Sequence, residues 1–210
     1  MTAAVSSPED CINIALVRIG YTKVIGSIWD GSRAAQAALR LYAQTRDDLL
    51  RTRDFQFNRR DIDMTLLKSA PPGGYVPGIS PWNPVDNPPP PWLFEYAYPS
   101  DTLRVRAVKP VPLFVIDFDP QTYRFSIAND NSSSPAVKVI LCNVAPPAIL
   151  TYGAQVTAPS EFDADFVELL VAALGRGLAP ALLGKDGVDI AKLEAQAQAQ
   201  ADAEASNVQG

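Results

Sequence analysis

The residues best suited to chemistry in this chain are carboxylates. Glu161, Asp163, Asp165 and Glu168 crowd one short stretch, and Asp117 with Asp119 another. Two carboxyls on opposite walls of a cleft are what glycoside hydrolysis needs, one to protonate the leaving oxygen and one to attack or stabilise the sugar. The pattern admits a carboxylate-dependent peptidoglycan hydrolase. The first group also suits a helix N-terminus, where negative charge meets the positive end of the dipole, and its spacing favours that reading. Pro159-Ser160-Glu161-Phe162-Asp163 reads as a helix start, with Ser160 as cap and Asp163 at the third position.

Histidine is absent. A Ser-His-Asp or Cys-His apparatus is therefore impossible, and so is zinc held by imidazole. Cys11 and Cys142 are too few for a thiolate metal site. They read as two buried free thiols, with a disulfide between them left open. Asp61-Ile62-Asp63 and Asp117-Phe118-Asp119 lack the glycine and distant glutamate of a calcium loop. Gly73-Gly74 lies among prolines rather than before a helix, so it is no phosphate cradle. No catalytic residue, metal or cofactor is expected.

Net charge is -5 over 210 residues, with a pI near 4.7. General nucleic-acid binding needs a basic face to displace counterions. Arg46, Arg51, Arg53, Arg59 and Arg60 cluster in sequence, but a solvated face matched to a helix C-terminus accounts for them first. A DNA-binding module using these arginines is a weaker alternative. The N-terminal MTAAVSSPED has no basic region followed by an apolar one, so no secretory signal is expected. No run of about 18 apolar residues stands out, so no membrane span is expected.

The elements that position these groups follow from periodicity and punctuation. Ser7-Pro8-Glu9-Asp10 opens a helix whose face is Ile12, Leu16 and Ile19, ended by Gly20. A connector follows, with Val24, Ile25, Ile28 and Trp29 as apolar anchors. Ser32 opens a longer helix to about Arg53, with Ala35, Ala38, Tyr42, Thr45 and Leu49 as its core stripe and Leu39 and Leu41 at the edges. Asp47 and Arg51 stand one helical turn apart as a favourable pair. The period then changes to two: Ile62, Met64 and Leu66 mark one half-buried strand. Residues 71–91 hold nine prolines in 21 residues, which excludes a helix or central strand and predicts a long, partly polyproline loop.

Trp92, Phe94, Tyr96 and Tyr98 alternate on the next strand, and Leu103, Val105 and Ala107 on the one after. This aromatic ladder could stack nucleic-acid bases. Its neighbours in sequence are Glu95 and Asp101 rather than basic residues, so core packing is expected of at least one face. Tyr75, Trp82 and Trp92 mark the loop as a candidate protein-facing surface. Further strands fall at 113–118, 123–127 and 136–144, with 148–152 as a last edge. The helix from 159 carries Phe162, Phe166, Leu169, Leu170 and Ala173, and Gly175, Gly177 and Pro180 weaken its later part. From Lys185 onward the chain is polar and rich in alanine and glutamine, with Val188, Ile190, Leu193 and Val208 as its large apolar residues. It can be helical but cannot build a core alone.

The expected architecture is α+β: a helical bundle of two N-terminal helices plus C-terminal helices, an inserted antiparallel β meander or sandwich, and an extended C-terminal tail. The expected boundaries are 1–58 for the N-terminal helices and 59–158 for the β-rich insertion with its loop at 71–91. Residues 159–184 complete the helical domain, and 185–210 form the tail.

In this order, LLRTRDFQFNRRDIDM at 49–64, the proline-marked loop, WLFEYAYPSDTLRVRAV at 92–108 and PSEFDADFVELLVAALGRGLAPALLG at 159–184 resemble the head-to-tail adaptors of short-tailed bacteriophages, the tail tubular protein A family. The resemblance covers roughly residues 5–206. Its most specific part is aromatic-x-Tyr-Pro-x-Asp-x-Leu-Arg, here Tyr96, Tyr98, Pro99, Asp101, Leu103 and Arg104. It implies a structural virion protein, assembled in the bacterial cytoplasm into a ring, typically of twelve copies. Its partners would be the portal protein, the tail nozzle protein and neighbouring copies of itself. Double-stranded DNA would pass through an acidic lumen without specific binding, and no membrane would be involved. The resemblance also implies that the C-terminal segment docks on the portal, which here assigns Val188, Ile190, Leu193 and Val208 to that contact. The loop at 71–91 is longer than the family pattern leads one to expect.

Overall fold

The computed structural model describes residues 5–76, 78–111 and 123–184. The expected strand at 113–118, Asp117, Asp119 and the tail with Val188, Ile190, Leu193 and Val208 lie outside the described residues. The fold is α+β, with three α-helices and two antiparallel sheets among the described residues. The chain divides into two compact units, residues 58–155 and the two flanking segments.

The helical unit starts where local chemistry places it. Helix α1 (Pro8–Arg18) has a complete capping box: Ser7 Oγ accepts from the Asp10 amide at 3.2 Å, and Asp10 Oδ2 accepts from the Ser7 amide at 3.0 Å. Its end is equally local. Gly20 takes a positive φ of 77°, while the Gly20 and Tyr21 amides donate back to Val17 and Leu16 carbonyls. Ile12, Leu16 and Ile19 are buried as expected.

The connector is pinned by fewer side chains than expected. Ile25 is buried, and the Asn13 amide group bonds its N–H and C=O at 2.8 and 3.0 Å. Val24 and Trp29 are exposed, at 63% and 76%. The polar clamp fixes the backbone, so these two anchors are not needed for the turn.

Helix α2 (Arg33–Thr52) is capped by Ser32, which accepts from the Ala35 amide. It buries Ala35, Ala38 and Tyr42, then Arg46 and Leu50 in place of Thr45 and Leu49. The buried face follows steps of four, the ridge along which helices commonly interlock. Arg46 is thus no member of a solvated basic face; it pairs with Asp47 at 2.7 Å beneath the surface. Arg51 bonds Asp48 at 3.1 Å.

A 3-10 turn at Pro159–Glu161 precedes helix α3 (Ala164–Leu183). Asp163 occupies the cap position, and Ser160 lies within the turn, so the expected start moves by three residues. Helix α3 runs antiparallel to both α1 and α2. Arg18 pairs with Glu168, and Arg33 Nη2 donates to the Ala181 carbonyl at 2.6 Å. Phe166, Leu170, Val171, Leu174, Leu178 and Leu182 are buried, while Leu169 and Ala173 are only half-buried. The helix continues through Gly175, Gly177 and Pro180 because this burial outweighs their local cost. A Cβ on Gly177 would stand 3.1 Å from Leu41 Cδ1, so glycine there permits close approach to α2. By length and composition α3 could cross a bilayer, contrary to the sequence expectation; it packs instead between α1 and α2 as the core of this unit. Four phenylalanines close one end. The Phe166 ring meets Phe55, Phe57 and Phe162 at centroid separations of 5.1, 5.3 and 4.8 Å.

The β unit is two facing sheets, the sandwich form of the expectation rather than a meander. Strands are β1 (Arg59–Asp63), β2 (Leu66–Ser69), β3 (Phe94–Ala97), β4 (Thr102–Pro110), β5 (Phe125–Asp130), β6 (Val137–Cys142) and β7 (Ala148–Ala154). One sheet has the order β1-β7-β4, the other β2-β3-β6-β5. The single strand expected through Ile62 and Leu66 is two strands in different sheets. At the switch, the Met64 amide bonds Ala148 in one sheet, and Thr65 accepts from Ala97 in the other. Strand β7 is central rather than an edge, flanked on both sides. A bulge between Val105 and Ala107 makes Val108, not Ala107, the next buried residue of β4. Tyr96, Ile140 and Cys142 from one sheet and Val105, Val108, Leu150 and Tyr152 from the other form a common core, with Met64, Phe94 and Tyr98 at its margin. Cys11 and Cys142 are both buried free thiols.

Candidate functional site

The Tyr96–Arg104 segment is where the chain passes from one sheet to the other. Strand β3 ends at Ala97 in the four-stranded sheet, and β4 begins at Thr102 in the three-stranded one. Between them the Thr102 amide bonds the Pro99 carbonyl at 3.1 Å, closing a turn. Three of the named residues, Tyr96, Tyr98 and Asp101, fix this segment through hydrogen bonds. Tyr96 is fully buried and its hydroxyl donates to the Val144 carbonyl at 2.8 Å. Burial raises that phenol to about 12. Tyr98 is half-buried, donates to the Thr102 carbonyl at 3.3 Å, and has Lys138 Nζ 4.6 Å above its ring. Asp101 accepts from the Tyr152 hydroxyl, and its carbonyl accepts from the Gln155 amide at 2.7 Å. Pro99 and Leu103 are half-buried, and Arg104 is exposed opposite Gly153. The aromatic ladder is thus spent on the core and the crossing, and its inward face is not free to stack on bases.

The other face of the same strand lines a cleft. Alternation turns Glu95 away from Phe94 and Tyr96, onto the outer face of the four-stranded sheet. There it joins Val139 and Leu141 of β6 and Ala128 and Asp130 of β5, and the proline-rich loop lies over them. Trp82, Pro84, Val85, Asn87 and Pro89 complete a cleft of about 370 Å³. The loop is tied down at several points. Tyr75 donates to the Pro88 carbonyl, Asn87 Nδ2 bonds the Ser69 carbonyl at 3.0 Å, and Lys68 Nζ reaches the Pro84 carbonyl at 3.1 Å.

Charge in this cleft is concentrated and largely buried. Lys68 stands opposite Glu95 in register, and its ammonium bonds Asp130 Oδ2 at 2.6 Å and Ser132 Oγ at 2.9 Å. With Pro84 these partners use all three of its protons. Glu95 Oε1, 3.5 Å from the ammonium, is left without a hydrogen bond although its side chain is only 3% exposed. Burial raises the Glu95 carboxyl, against the pull of Lys68. Burial also opposes ionisation of Asp130, but the hydrogen bonds from Lys68 and Ser132 outweigh it and hold that carboxyl at about 2.

The sequence-marked residues therefore separate. Tyr75 and Trp82 belong to the loop over this cleft, Trp82 being 48% exposed, while Trp92 is half-buried where the chain enters β3. Glu161, Asp163 and Asp165 are exposed around the first turn of α3, and Glu168 is paired with Arg18. Among the described residues no group of three acids, cysteines or histidines is placed to hold a metal. Sequence reasoning missed Lys68, Glu95 and Asp130 as a set. The one available signal was a glutamate between inward-facing aromatics, which alternation must direct elsewhere.

No protein-family model matches the chain, and no curated protein matches its sequence.

Proposed function

We propose that this chain is a head-to-tail adaptor of a short-tailed bacteriophage. In this reading it is a structural protein of the virion, without catalysis of its own. Copies form a ring between the portal and the tail nozzle, which helps retain the packaged genome and conducts it on ejection. The observation that carries the proposal is the Tyr96–Arg104 segment, in its place between the N-terminal helix pair and the later apolar helix. Two features support it. Tyr96, Tyr98 and Asp101 of that segment are spent on hydrogen bonds that hold the β unit together, which is what a structural motif rather than a catalytic one requires. The described residues on either side of the β unit in sequence, 5–57 and 156–184, belong to one helical unit, and the polar segment from residue 185 follows directly on its helix α3.

An acidic subunit suits a DNA conduit, since like charge on the lumen repels phosphate and lets the duplex slide. The apolar residues of the 185–210 segment would dock on the portal, ordering as they bind. The proline-rich loop, with Ile79, Trp82 and Val85 exposed at 83%, 48% and 63%, would face a neighbouring subunit or the nozzle. Electron microscopy of the protein mixed with its portal tests the reading. The expected result is a ring of copies beneath the portal, and loss of attachment on removing residues 185–210 with the melting temperature unchanged. Absence of any ring, or full attachment by the truncated chain, would overturn it.

A further inference from the structure

The cleft under the proline-rich loop has an unmet acceptor at its floor. Glu95 Oε1 is buried and lacks a hydrogen bond, because Lys68 has spent its three protons on Asp130, Ser132 and Pro84. A buried carboxylate oxygen in that state gains most from a charged donor. The charge balance points the same way. Ionised Glu95 and Asp130 against Lys68 leave one negative charge, which a single monovalent cation neutralises. Trp82 lines the cleft while half its surface remains open to solvent, so its indole face is accessible to a cation at the mouth. Pro84, Val85, Val139 and Leu141 give the lining apolar surface that suits an alkyl stem, beside the polar Asn87, Asn129, Asn131 and Ser132. The volume of about 370 Å³ falls within the range of small-ligand sites.

We infer that this cleft binds an organic cation, a guanidinium or primary ammonium group on an alkyl stem, through Glu95 at the floor and the Trp82 indole at the mouth. An anion is disfavoured by the same charge balance. The cleft would take this ligand whether or not the chain assembles beneath a portal. Such a group has two sources, a free small molecule or an arginine or lysine side chain of a second copy of this chain.

The test is a titration of the isotopically labelled full chain with N-acetyl-arginine amide, which carries one charge, followed by nuclear magnetic resonance. The expected result is a saturable shift of the Trp82 indole N–H and the Ala128 and Leu141 amides, not produced by the neutral N-acetyl-norleucine amide. Glu95→Gln should weaken binding about tenfold or more, the effect of losing a charge-assisted hydrogen bond. Trp82→Ala, on the exposed loop, should weaken it less and decides the matter if Glu95→Gln does not fold. Adding unlabelled copies of the chain separates the sources: a matching shift assigns the cation to a second copy, and its absence assigns a free ligand. No saturable shift, an equal response to the neutral amide, or a response that neither substitution reduces would overturn the proposal.

Discussion

The Tyr152 hydroxyl lies 3.2 Å from each carboxylate oxygen of Asp101. Tyr152 is a buried residue of the central strand β7, and Asp101 sits in the turn between β3 and β4, so this contact ties the crossing to the middle of the neighbouring sheet. Tyr152→Phe removes the donor and leaves the turn otherwise intact. A loss of about 1.5–3 kcal/mol is expected, the range for a hydrogen bond to a charged group. Asp101→Ala should cost a similar amount. The double substitution should cost clearly less than the sum if the contact is the cause, as a double-mutant cycle by chemical denaturation would show.

Tyr96 and Tyr98 belong to the same aromatic ladder but should respond differently to loss of the hydroxyl. Tyr96→Phe leaves the Val144 carbonyl without its partner inside the core, at a cost of about 1–3 kcal/mol. Tyr98→Phe gives up a longer bond at the margin and should cost about half a kcal/mol or less. Tyr98→Ala also removes the ring from the core margin and from Lys138, and its cost should be larger. Urea denaturation of the three variants gives the ranking; equal losses for the two phenylalanine variants would contradict it.

Gly153 carries a constraint that no turn imposes. A Cβ there would stand 3.3 Å from Asn58 Nδ2 and 3.4 Å from Arg106 Nη2. Asn58 is fully buried, bonded through its carbonyl to the Ala154 amide and through Oδ1 to Arg106. Those bonds leave its amide group little room to yield. Gly153→Ala is expected to lower stability by about 1–3 kcal/mol through overpacking, measured as a fall in denaturation midpoint at unchanged slope.

Acid should act on the cleft in two opposite steps. Asp130 is held at about 2 in the folded chain, below its ordinary 3.8, so its contribution is present above about pH 4 and is lost as pH falls toward 2. That loss is on the order of 2 kcal/mol. Glu95 is raised above its ordinary 4.5, so the folded state binds its proton first. Stability therefore rises as pH falls through the folded value of Glu95, and levels off below 4.5. Glu95→Gln should remove the rise and keep the loss, and Asp130→Asn should do the reverse. Denaturation followed by tryptophan fluorescence from about pH 7 to about pH 2 separates the two.

Helix ends were the most legible part of this chain. Ser7, Pro8, Asp10 and Gly20 define α1 through contacts within four or five residues, and no distant partner is needed to satisfy them. Ser32 does the same for α2. The later half of the α2 stripe was not legible, because Arg46 is drawn inward by Asp47 and by packing that the helix cannot specify alone. Pro180 misled for the same reason, since burial of Leu178 and Leu182 overrides a local preference.

Local pattern alone settles alternation and interruption: strands of period two, a proline-rich segment that can be neither helix nor central strand, and an acidic chain without histidine. Long-range pairing sets which strands are central, where Val105 and Ala107 slip at a bulge, and that residues 64 and 65 divide one apparent strand between two sheets. It also decides that Lys68, Glu95 and Asp130, on three different strands, meet beneath the loop. The reason is range. Caps and periodicity are settled by groups a few residues apart, whereas strand order and the cleft depend on pairings between distant segments, whose energies no single stretch contains.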